Sequence, residues 1–184
     1  MAERHQFRAK WHDYNAGIYF VTICSHEKRC TFGKIVGTRF IASAIGDVIE
    51  ENIKRIPQFY QDVEIWNHIV MPNHIHIVIS VGTRFFASAS DKAASAHQKY
   101  GCLKPPQHGE PVDDNHHNSR LATIIGAFKA GVTRTIRTRR IASQPIWQSR
   151  FHEHIIRNQQ SYDNIMHYID TNVENWAKDC FNSP

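Results

Sequence analysis

His68-Ile69-Val70-Met71-Pro72-Asn73-His74-Ile75-His76-Ile77-Val78-Ile79 is the stretch on which the reading of the fold turns. Pro72-Asn73 marks a turn or bulge, and the residues after it alternate as a half-buried strand does. In a strand, positions i and i+2 project to one face. His74 and His76 therefore stand side by side, about 7 Å apart along the strand, close enough for both imidazoles to reach one divalent ion. Ile75, Ile77 and Ile79 turn the other way, into a core. Histidines in the middle of a sheet need partners, and a metal is one. Such a metal implies chemistry on phosphates and a nucleophile supplied from elsewhere in the chain. The spacing alone is also compatible with two histidines that merely decorate a strand, since the chain holds 13 of them.

Outward from this stretch, Gly17 to Cys24 is rich in β-branched and aromatic residues and reads as the first strand. Phe32 to Val36 is a short edge. Ile45 to Ile56 has helical spacing at Ile45, Val48, Ile49, Ile53 and Ile56, closed by Pro57. Val63 to Met71 and His74 to Val81 are strands. Leu121 to Arg137 is a helix with Leu121, Ile124, Ile125, Phe128, Val132 and Ile136 on one side. Ile146 to Ile156 is extended, and Ser161 caps a last helix running to Trp176. This order predicts an α+β fold, an antiparallel sheet with helices packed on one face. One domain over residues 1–184 is expected, with a flexible insertion at 87–118 whose polar composition suits a surface loop.

The chain of 184 residues carries 22 basic and 17 acidic residues, a net charge of +5 and a pI near 9.1. The excess is concentrated. From Asn118 to Arg157 stand Arg120, Lys129, Arg134, Arg137, Arg139, Arg140, Arg150 and Arg157 against the single acid Glu153. A solvated helix face mixes both signs, so this bias favours a phosphate-backbone contact. No apolar run of 18 residues predicts a membrane span, and the polar start predicts no signal peptide. The scattered Cys24, Cys30, Cys102 and Cys180 read as reduced thiols. Gly37-Thr38-Arg39-Phe40-Ile41-Ala42-Ser43-Ala44 nearly recurs at Gly82 to Ala89, with a degenerate copy at Arg137 to Ser143. Their irregular spacing excludes an architectural repeat, and they are expected in tolerant loops without a catalytic role.

Among candidate nucleophiles, Tyr168 shares a helix face with Asn172 at i+4. An Asn172 oxygen could complete a metal site while Tyr168 presents its hydroxyl beside it. A tyrosine with its ordinary pKa near 10 is a poor nucleophile at neutral pH and needs help. Periodicity alone equally allows Tyr168 as an aromatic packed with Ile165 and Ile169.

Four segments bear on that choice: Tyr19-Phe20-Val21-Thr22-Ile23-Cys24, Val70-Met71-Pro72-Asn73-His74-Ile75-His76, Ile146-Trp147-Gln148-Ser149-Arg150-Phe151-His152-Glu153-His154-Ile155-Ile156-Arg157-Asn158, and Tyr168-Ile169-Asp170-Thr171-Asn172. In this order they resemble the IS200-like tyrosine transposases of the His-hydrophobe-His (HUH) class, closest to the branch associated with repetitive extragenic palindromes (REP). The basic helix Ile124 to Thr133 fits that branch too. The resemblance implies a ferredoxin- or RRM-like HUH endonuclease sandwich. It implies a metal-dependent single-stranded DNA endonuclease and strand transferase, a transposase, acting on hairpin DNA. In it His74, His76 and Asn172 hold Mg²⁺ or Mn²⁺, and Tyr168 forms a 5′-phosphotyrosine intermediate. His154 is a further candidate to line the site, and a structural histidine is the equal alternative. Lys129, Arg134, Arg137, Arg139 and Arg140 are expected on hairpin DNA. The family also implies a cytoplasmic, nucleoid-associated protein, a monomer or homodimer. One departure is Val173, where the family has proline after the asparagine. The competing reading is a catalytically decayed hairpin DNA- or RNA-binding protein of the same fold.

Overall fold

A computed structural model describes residues 16–82 and 119–182. The elements run β1 (Gly17–Cys24), β2 (Gly33–Val36), β3 (Arg39–Ala42), α1 (Ala44–Phe59), β4 (Val63–Val70), β5 (His74–Val81), α2 (Arg120–Thr138), β6 (His152–Ile155) and α3 (Gln159–Thr171). Four strands form one sheet in the order β4-β5-β1-β6, antiparallel throughout. The mixed α+β architecture with an antiparallel sheet is the one the alternation predicts. The proposed insertion at 87–118 lies outside the described residues.

The two faces of the sheet have different work. Tyr19, Val21 and Ile23 of β1 and Ile75, Ile77 and Ile79 of β5 are buried in one cluster with Val48, Ile49 and Ile53 of α1 and Leu121, Ile124, Ile125, Phe128, Val132 and Ile136 of α2. This is the main core, and both long helices cover it. α3 takes the opposite face, where Ile169 packs with Ile18, Val78 and Ile156. The strand periodicity thus sends the isoleucines to the core and leaves His74 and His76 on the α3 side. A register shift in β4 between Ile65 and Asn67 helps α3 to seat. The extra residue lets both Trp66 and Asn67 face it: Trp66 meets Tyr162 edge-on at 5.7 Å, and Asn67 Nδ2 reaches Asp170 Oδ1 at 3.5 Å.

Several local expectations change. α1 continues through Pro57 to Phe59, because in the last turn a proline forfeits one hydrogen bond without ending the helix. Asn158, not Ser161, caps α3: its Oδ1 accepts from Ser161 N at 2.8 Å. The first near-repeat is structural instead of a tolerated loop. Gly37, with φ of +62°, turns the β2–β3 hairpin, Phe40 packs on the core, and Ser43 Oγ caps α1 by accepting from Gly46 N at 3.2 Å. A Cβ at Gly46 would run into the Phe32 carbonyl oxygen. The third copy closes α2. Arg140 has φ of +56°, Ile141 N donates to Ile136 O at 3.0 Å and Arg140 N to Arg137 O at 3.0 Å, the two bonds of a Schellman end. The second copy, after Gly82, falls outside the described residues.

Candidate functional site

Strand pairing places Thr22 directly across from His76 and Cys24 across from His74. Both histidines are buried, 0% and 1% exposed, and their rings meet at 4.5 Å between centroids. Each ring has one nitrogen fixed by a neighbour. His74 Nδ1 lies 2.9 Å from Asn73 Oδ1. The Asn73 amide nitrogen donates to the Lys28 and Phe181 carbonyls at 3.0 and 2.7 Å, so Asn73 Oδ1 must accept and His74 Nδ1 carries the proton. His76 Nδ1 lies 2.9 Å from Thr22 Oγ1. With Nδ1–H donating there, Nε2 keeps its lone pair, as in orienting partners of metal-bound histidines.

α3 supplies the rest. Tyr168 Oη lies 3.2 Å from His76 Nε2, and Asn172, 2% exposed, follows one turn later at the helix end. The Tyr168 ring meets His76 at 5.2 Å and Phe20 edge-on at 6.1 Å, while Phe20 stacks on His76 at 4.9 Å. His74, His76 and Tyr168, predicted from two separate segments, therefore meet, and Asn172 stands beside the Tyr168 hydroxyl. They do so within a single chain.

Two polar atoms here are buried without a hydrogen-bond partner: His74 Nε2 and Asn172 Oδ1. Buried polar atoms are otherwise paired, and an unpaired one costs about 1–3 kcal/mol. Two imidazole nitrogens and an amide oxygen are the kind of donors that could hold a divalent metal ion. Among the described residues no group of three or more histidines, cysteines and carboxylates is placed to hold a metal ion. Burial, with the neighbouring Lys28 charge opposed by Asp179, lowers the His74 pKa to about 4. Burial and the His74 charge lower that of His76 to about 2. Both rings are therefore neutral at physiological pH, the form that binds metal. Burial, then Asp179, raises the Tyr168 pKa despite the Asn172 amide beside the hydroxyl.

The segment after α3 lies over the pair. The Phe181 ring is 4.4 Å from His74 and 6.2 Å from His76, and Trp176 is 6.0 Å from His74. Phe181 N is held by Asp179 Oδ1 at 2.8 Å. Sequence reasoning missed Thr22, Asn73 and Phe181 as site residues. Asn73 adjoins the histidine pair and was legible as its support. Thr22 becomes visible only once the β1–β5 register is known.

Of the other candidates, His154 borders the cluster, lining a depression with Tyr168, and the basic residues lie away from it. His154 pairs with Phe20 across β6 and β1 and is exposed at the rim, its Nε2 3.5 Å from Ser161 Oγ. The basic residues belong to α2, on the far face of the sheet. Lys129 Nζ donates to the Gln148 and Ser149 carbonyls at 2.5 and 3.0 Å, and Arg139 pairs with Glu51 at 2.9 Å. Arg134 and Arg137 border an open depression of about 500 Å³ with Thr133, Thr138 and Trp147. Arg140 is exposed just past the helix end. No helix among the described residues is long and apolar enough to cross a membrane.

No family model matches the chain. An uncharacterized protein of Haemophilus influenzae is 30% identical over 178 residues, covering 96% of this chain and 91% of that one. Among solved structures, a REP-associated tyrosine transposase bound to a REP hairpin superposes with a TM-score of 0.53 at 17% identity, over 96% of this chain and 74% of the other. At that identity the likeness establishes a shared fold.

Proposed function

We propose that this chain, which belongs to one family with the uncharacterized Haemophilus influenzae protein, is a metal-dependent single-stranded DNA endonuclease and strand transferase. Its substrate is hairpin DNA of the REP type. The observation that carries the proposal is the convergence of Tyr168 Oη on His76 Nε2 at 3.2 Å beside the unpartnered His74 Nε2 and Asn172 Oδ1. The fold shared with a hairpin-bound transposase supports it.

His74 Nε2, His76 Nε2 and Asn172 Oδ1 would hold Mg²⁺ or Mn²⁺, which when bound polarises the scissile phosphate and stabilises its developing charge. Were His76 Nε2 to serve as a ligand, it would give up its hydrogen bond to Tyr168 and leave the hydroxyl free. Tyr168 Oη then attacks phosphorus: the new bond is tyrosyl oxygen to phosphorus, and the bond that breaks is phosphorus to the 3′ oxygen. The tyrosine loses its proton and the departing 3′ oxygen gains one. One DNA end is left as 5′-phosphotyrosine and the other as 3′-OH, so rejoining needs no nucleotide triphosphate. A single chain assembles all four residues, so a monomer suffices.

The basic α2 surface with Arg134, Arg137, Arg139 and Arg140 is the hairpin-backbone contact. Reversing all four charges should weaken hairpin binding and flatten its salt dependence; unchanged binding would dismiss that role. The cover formed by Phe181 over the histidines favours a second reading, a hairpin-binding protein of this fold that no longer cleaves. One experiment separates the two. The protein and Tyr168→Phe are incubated with Mn²⁺ and end-labelled hairpin DNA and run on denaturing gels. A covalent protein–DNA band lost in the variant supports the transferase. Binding without cleavage supports the second reading, and cleavage retained in the variant shifts the nucleophile to water.

A further inference from the structure

Gln160, Asn164, Tyr168 and Asn172 recur at every fourth position of α3 and its C-cap, so they form one stripe on the helix surface. Asn172 and Tyr168 belong to the site above. Gln160 and Asn164 extend the stripe away from it along an open depression of about 600 Å³ lined by Phe20, His154, Ser161 and Tyr168. That volume lies in the range of small-molecule sites, about 300–1,000 Å³. At about 1.5 Å of rise per residue, the Asn164 and Gln160 side chains start about 6 and 12 Å from Tyr168 along the helix.

This depression is amide-rich over an aromatic floor. Gln160 Nε2 donates to Asn164 Oδ1 at 3.0 Å. This leaves the Gln160 carbonyl oxygen as an acceptor and the Asn164 amide as a donor, side by side and exposed. Phe20, stacked on His76 by one face, supplies a π surface, and Ile165 adds apolar floor. A phosphate would seek cations, and among the described residues no Lys or Arg lines this depression. A flat heterocycle with donors and acceptors on its edge matches it. We propose that it receives the base of a nucleotide adjoining the phosphate that Tyr168 attacks, and that Gln160 and Asn164 read that base's edge while Phe20 stacks on it. The site would thereby choose where in a single strand the cut falls.

The identity of the cleaved phosphate rests on the transferase reading; occupancy of the depression by a base does not. The test therefore measures binding. Tyr168→Phe protein, which retains the depression, selects from stem-loop DNA carrying a randomised single-stranded tail, and so does the same protein with Gln160→Ala and Asn164→Ala. The expected result is a base preference of about tenfold at one tail position, the scale of one stacked and read base. The double substitution should abolish it while preferences at other positions persist. Both residues are exposed, so matching circular dichroism and Tm are expected. Identical preferences in both proteins, or none in either, would overturn the proposal. If Tyr168 proves not to be the nucleophile yet the preference depends on Gln160 and Asn164, the base pocket stands and the transferase reading falls.

Discussion

Replacing Asn172 with leucine should stabilise the metal-free protein and at the same time remove most of its response to Mn²⁺. Asn172 is 2% exposed and its Oδ1 has no partner; relieving such an atom is worth about 1–3 kcal/mol. Its amide also supports the Tyr168 hydroxyl, a contact worth about 0.5–1.5 kcal/mol that the substitution forfeits. The net gain is about 1 kcal/mol, which in a chain of 184 residues raises Tm by about 2–4 °C. In the wild type, free Mn²⁺ at a hundred times Kd adds about 2.7 kcal/mol, or about 5–11 °C at the same conversion. With one of three protein donors gone, the variant should show less than half of that shift. Thermal melts of both proteins in EDTA and across a Mn²⁺ titration provide the readout. If Asn172→Leu melts below wild type in EDTA and keeps the full Mn²⁺ shift, the unpartnered oxygen is not a metal ligand.

Other consequences follow from the same geometry. The His74 pKa falls from 6.5 to about 4 on folding, so the unfolded chain binds more protons between those values. The His74 contribution to metal-free stability should be complete above about pH 6.5 and fall by about 3 kcal/mol on acidification to pH 4, and His76, depressed further, should lose stability in the same direction over the same window; a denaturant midpoint unchanged over that window would contradict the burial assigned to both histidines. Thr22→Val leaves His76 Nδ1 without its partner at 2.9 Å, and Mn²⁺ affinity measured by calorimetry should fall about 10–100-fold, with equal affinity refuting an orienting role. Arg140, at φ of +56°, occupies the position that glycine favours at a Schellman end. Arg140→Gly should therefore raise stability by about 0.5–1 kcal/mol, and a loss in chemical denaturation would show that the arginine side chain itself supports the turn.

How far the sequence reaches depends on the range of each interaction. β1 and β5 were legible because a two-residue alternation separates Ile75, Ile77 and Ile79 from His74 and His76, and the structure sends those sets to opposite faces. The buried stripe of α2 was legible for the same local reason. Tyr168 and Asn172 were paired by helical spacing, yet only the packing of α3 on the histidine face brings the hydroxyl to His76. Cross-strand facts stayed hidden: the β4 register shift, Thr22 opposite His76, and α3 taking the second face while α1 and α2 take the first. Asn158 and Ser161 both suit an N-cap by residue type, and the choice between them depends on where β6 ends. The first near-repeat looked dispensable because its copies are irregularly spaced, but a hairpin turn, a core phenylalanine and a helix cap fit within eight residues.

In the proposed reaction Tyr168 carries the DNA. The most direct test is peptide mass spectrometry after reaction with Mn²⁺ and hairpin DNA, followed by nuclease trimming and proteolysis. A nucleotide joined through its 5′ phosphate to Tyr168 is expected, with no such adduct in Tyr168→Phe. An adduct on another residue, or cut DNA bearing a free 5′ phosphate with Tyr168 unmodified, would contradict it.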